Sequence, residues 1–65
     1  MVSNAREAIK LAKEVIEEAG YITAKIIDVE YDENEELWTV HAQSGQTEIE
    51  LTITEDDDVK DFTTN

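Results

Sequence analysis

The side chains able to do chemistry are few, and most of them are carboxylates. His41 is the one imidazole, Ser3 and Ser44 are the only serines, and cysteine is absent. Nucleophilic catalysis needs a hydroxyl or thiol with a base held beside it. Ser3 stands near the start of the chain and Ser44 in a tight-turn context, and neither has a base assured. One histidine without cysteines cannot make a zinc tetrad. Two glycines, Gly20 and Gly45, are too few for a phosphate-cradling loop. The expectation is a protein that is not an enzyme and uses no cofactor.

The carboxylates suggest weaker chemistry. Asp32-x-Asn34-x-Glu36 sets oxygen ligands at alternate positions, like half of a calcium loop. It lacks the glycine at the sixth position and the late bidentate glutamate, since Leu37 and Val40 occupy that region. Asp56-Asp57-Asp58 forms a second cation-attracting cluster. Weak divalent-cation binding through Asp32, Asn34, Glu36, Asp56, Asp57 and Asp58 is therefore one expectation, and two solvated turns are the plain alternative. Carboxylate pairs also serve glycoside hydrolysis, but a chain of 65 residues offers no cleft for a sugar.

Seventeen acidic residues face five basic ones, a net charge of −12. That field repels nucleic-acid phosphates and anionic lipid, and it favours cations, a basic protein or simply solubility. No segment approaches the ~20 apolar residues of a membrane span. Met1-Val2-Ser3-Asn4 runs into a charged helix without an export leader, so a cytoplasmic location is expected.

Residues 4–19 must supply the helix that organises these groups. Ala5, Ala8, Ile9, Ala12, Val15, Ile16 and Ala19 form one apolar stripe at helical spacing. Ser3 or Asn4 caps its start, with Glu7 three residues beyond Asn4 as in a capping box. Gly20 stops it. From there the period is two. Strands are predicted over 22–31, 36–43 and 46–54, with a phase change at Ile26-Ile27 that signals a bulge or a strand apolar on both faces. Over 59–63 a short fourth strand and a frayed end are both open.

Ser44-Gly45 reads as a two-residue turn, which sets Val40 opposite Ile49 and Trp38 opposite Leu51. The acidic turn at 32–35 sets Tyr31 opposite Glu36 and Ile27 opposite Val40. Together they gather Ile27, Val29, Trp38, Val40, Ile49 and Leu51 on one face for the helix to cover. The other face is mostly polar, with Thr39, His41, Glu48, Glu50 and Thr52. His41 is expected opposite Glu48. Ile26, Leu37 and Phe62 are its apolar exceptions, an apolar spot inside an acidic rim.

The order of an alanine-studded helix, a glycine stop, a meander and an aspartate turn rests on Ala5, Ala8, Ala12, Gly20, Trp38, Val40, Ile49, Leu51, Ile53 and Val59. It resembles PepSY-type small modules over nearly the whole chain, as a pattern and not as a chemical signature. Such a resemblance implies regulation by contact, such as restraining or chaperoning a protease, and brings no catalytic residues. The chain departs from that family in having no glycine in the 56–58 turn and no export signal.

The expected architecture is α+β, a single domain over 1–65 with one N-terminal helix packed on a three-stranded antiparallel β-meander. The expected role is a non-enzymatic interaction module that presents Ile26, Leu37, His41, Glu48 and Glu50 to a basic protein. A cation-binding domain and a structural domain whose acidity serves solubility are the rivals. An uncovered outer strand could also pair with a copy of itself, so oligomeric state stays open.

Overall fold

The computed structural model describes residues 2–65. It opens with helix α1, Ala5–Glu18. Asn4 caps it by accepting the Glu7 N–H at 2.9 Å, and the Glu7 carboxylate returns to the Ser3 N–H at 3.1 Å. This is a capping box displaced by one residue. At the far end Gly20 takes φ +102. The Gly20 N–H donates to the Glu17 carbonyl and the Tyr21 N–H to the Ile16 carbonyl. These two bonds make a Schellman stop, and Tyr21 and Ile16 join the same apolar cluster, as such stops favour.

Four antiparallel strands follow in the order of the chain: β1 Lys25–Asp32, β2 Leu37–Ser44, β3 Thr47–Thr54 and β4 Val59–Thr64. The fourth strand is real, and Phe62 pairs with Leu51. β1 starts three residues later than the sequence predicts. Ile22 lies in the connecting turn with 77% of its surface exposed.

α1 lies across β1, β2 and β3 and does not reach β4. Ala8, Ala12 and Ile16 meet Val40, Ala42, Ile49, Leu51 and Ile53, all buried. Val2 completes this core at 2% exposure, pinned by its N–H to the Glu55 carbonyl at 2.9 Å. The middle of the apolar stripe, Ala8, Ala12, Val15 and Ile16, covers the predicted face, while Ala5 and Ala19 at its ends are exposed. Leu11, outside that stripe, also packs against the core.

Both turns differ from the predicted ones by one position. Ser44 pairs with Thr47, so the loop is Gly45 and Gln46. Gly45 takes φ +62 and Gln46 is not in the left-handed region, the pattern of a type II′ turn, which wants its glycine first. Asp32 pairs with Leu37 around residues 33–36. The Asp32 Oδ1 accepts the Asn34 and Glu35 N–H groups, and Glu36 closes the loop at φ +56. Pairings therefore move by two: Val40 faces Leu51, Trp38 faces Ile53 and Tyr31 faces Trp38. A shift of two keeps every side chain on its face.

The exception is the bulge at Ile27. Pairing runs from Ile26–Ala42 directly to Asp28–His41, which leaves Ile27 without a partner. Ile26 consequently packs against the core, while Ile27 is 60% exposed. The two isoleucines exchange the faces predicted for them. Phe62 also belongs to the helix side, packed against the core beside Leu51.

Candidate functional site

With α1 on one face, alternation leaves the other face of the sheet open. It presents Asp28, Glu30 and Asp32 from β1, Thr39 and His41 from β2, Glu48, Glu50 and Thr52 from β3, and Asp61 and Thr63 from β4. All six of these carboxylates are exposed. Lys25, paired with Gln43, is the ammonium that the same alternation sets beside them. Carboxylates at strand spacing without matching cations concentrate negative potential on this face.

A shallow depression of about 370 Å³ lies on it, lined by Ile27, Asp28, His41, Glu48, Glu50 and Thr63 among others. Of the five predicted contact residues, it gathers His41, Glu48 and Glu50. Ile26 is on the helix side, and its exposed neighbour Ile27 supplies the apolar wall. Leu37 alternates with Trp38 and so belongs to the open side, but at 9% exposure it offers little to a partner. Asp28 and Ile27 were not among the contact residues expected from the sequence, which set Ile27 on the core face. The doubled isoleucine was the signal, since a bulge decides which of the pair turns outward.

His41 faces Glu50 and not Glu48, a consequence of the displaced β2–β3 turn. Its Nδ1 lies 3.7 Å from Glu50 Oε2, with both side chains substantially exposed. Such a solvated pair is worth less than about 1 kcal/mol. It orients the imidazole within the depression and does little else.

The two turns are held by different side chains, a carboxylate in the first and a hydroxyl in the second. Asp32 spends one oxygen on the backbone of its own turn. In the second turn the Thr54 hydroxyl accepts the Asp56 and Asp58 N–H groups, and Asp57 takes φ +68 where a glycine is usual. Among the described residues, no three or more His, Cys, Asp or Glu side chains come together in a way that could hold a metal ion. Asp32, Asn34 and Glu36 are therefore spread along one loop, and Asp56, Asp57 and Asp58 along another.

One further cluster escaped the sequence reading because it joins elements distant in the chain. The Tyr31 and Trp38 rings pack as a tilted pair, 46° between planes, with centroids 4.7 Å apart. The Tyr31 hydroxyl donates to Glu55 Oε2 at 2.9 Å. That bond, followed by partial burial and the negative charges of Glu55, Glu36 and Glu33, holds the Tyr31 phenol above its ordinary range. The Trp38 Nε1 beside it is buried without an acceptor among the described residues. This corner fastens the sheet, tying β1 and β2 to the turn that follows β3.

No helix among the described residues is long and apolar enough to cross a membrane. Compared with protein-family models, with curated proteins and with solved structures, the chain matches none.

Proposed function

We propose that this domain is a non-enzymatic interaction module whose open sheet face docks a basic protein. One observation supports it above the rest. Six exposed carboxylates share a face with Lys25 and His41, around a depression walled by the exposed Ile27. Exposed apolar surface inside a charged rim is how many interfaces are built, the apolar part giving affinity and the rim steering. The cysteine-free composition suits a reducing compartment, and a cytoplasmic setting is part of the reading. The resemblance to PepSY-type modules points the same way, toward regulation by contact.

The test is capture of a partner by wild type and by a Glu48→Lys/Glu50→Lys variant, read by mass spectrometry at low and at raised salt. Both sites are exposed, so the variant keeps the fold. A basic partner held by wild type, lost by the variant and released by salt is the expected result. A partner held equally by both would remove the open face as the docking surface.

A further inference from the structure

β1 and β4 are the two edges of the sheet, and they are built differently. β4 carries its register shift at Lys60, between the pairs Thr52–Asp61 and Ile53–Val59, and no helix reaches it. A lysine and a bulge are the usual protections of an edge against a further strand. β1 has its own lysine and bulge only at its start, at Lys25 and Ile27, and pairs regularly from Asp28 to Asp32.

Along β1 two chemistries run side by side at strand spacing. Toward α1 lies a groove of about 640 Å³, walled by Ile9 and Lys13, with Ala24, Ile26 and Val29 as its apolar floor and Lys25, Ile27 and Asp28 at its rim. Toward the open face stand Asp28, Glu30 and Asp32. A strand laid against β1 would send alternate side chains to each side. We infer that β1 accepts an added strand from a partner segment whose residues alternate apolar and basic. Its apolar side chains enter the groove beside α1, and its basic ones lie next to Asp28, Glu30 and Asp32. Backbone hydrogen bonds give such an addition its affinity and the alternating side chains its selectivity.

A second copy of this chain fits worse. Antiparallel self-pairing that keeps Val29 beside Val29 on the helix side sets Asp28 against the other copy's Glu30, and like charges directly opposite destabilise a sheet. The inference rests on the acidic-face reading above and adds the manner of docking to it.

The test uses the full chain, isotope-labelled, and two short end-blocked peptides of one composition. One alternates valine and lysine, and the other carries its valines and lysines in two separate blocks. The alternating peptide is expected to bind about tenfold tighter than the blocked control. It is also expected to slow amide exchange along β1 while leaving β4 unchanged. Glu30→Lys, at an exposed position, should weaken it by about the same factor. If both peptides bind equally and β1 exchange does not slow, strand addition is wrong while the acidic face survives. If neither binds, both readings fall. If β1 exchange slows with protein concentration alone, the edge belongs to a second copy and the inference is overturned.

Discussion

The two faces of this sheet come from the same strands and have opposite roles. On the side of α1, Val40, Leu51 and Ile53 have no exposed surface at all. On the other, Asp28, Glu30, Glu48 and Glu50 stay in water. A chain of 65 residues has one core, and here its buried cluster lies on the helix side. The described residues bury no charged side chain, so charge is confined to surfaces where it can meet a partner. Folding and recognition are thus assigned to different sides. Substitutions can show how complete that division is.

The largest effect is expected at Leu51, fully buried between Val40 and Phe62. Leu51→Ala should cost about 2–5 kcal/mol through lost burial and the cavity left behind. At the per-residue values usual for small domains the total stability is roughly 3–10 kcal/mol. The urea midpoint should therefore fall steeply, and a shift no larger than that of a surface substitution would mean that the helix does not seal this face.

A sharper comparison uses two neighbours. Ile26→Lys puts an ammonium among core side chains and should cost about 2–4 kcal/mol. Ile27→Lys, one residue on, should change stability by less than about 0.5 kcal/mol. Equal costs in thermal melts would mean that the bulge does not divide the two isoleucines between core and water.

These two residues also mark where the sequence stops being legible. The helix, its Asn4 cap and its Gly20 stop follow from local chemistry, because capping and the left-handed stop depend on residues within one turn. The core face was legible too, and for a reason that forgave an error. Both turns were misplaced by one position, yet each misplacement moved the pairing by two, the period of a strand, so Val29, Val40 and Leu51 kept their side. What decided the turns was finer than residue type. Gly45 comes first in its loop because of the II′ twist, and Asp32 stays in β1 because its carboxylate accepts two N–H groups of the turn. A bulge carries no such protection. It moves the pairing by one, and that alone exchanged Ile26 and Ile27 and redrew the candidate site. Val2 and Glu55 were out of reach, since their contact joins the two ends of the chain.

The smallest effect tests the seam between the two faces, where Tyr31 reaches Glu55 at the edge of the core. The hydrogen bond to Glu55 is the leading reason that the Tyr31 phenol ionises above its usual pKa of about 10. A group whose folded pKa lies above its unfolded one lends stability that is whole below the unfolded value. That stability drains away as pH climbs through the folded value. In a Tyr21→Phe background, which leaves Tyr31 as the one tyrosine, the phenolate absorbance should appear at higher pH than in the same chain carrying Glu55→Gln. Burial and the charges of Glu36 and Glu33 remain in that variant, so its phenol should move toward the ordinary value without reaching it. Between about pH 7 and pH 10 the two chains should differ in stability by a constant amount, and above it the difference should shrink as the Glu55-bonded phenol is forced to ionise. Identical titrations would show that the carboxylate is only a neighbour, and that the corner is held by the tilted Tyr31–Trp38 ring pair.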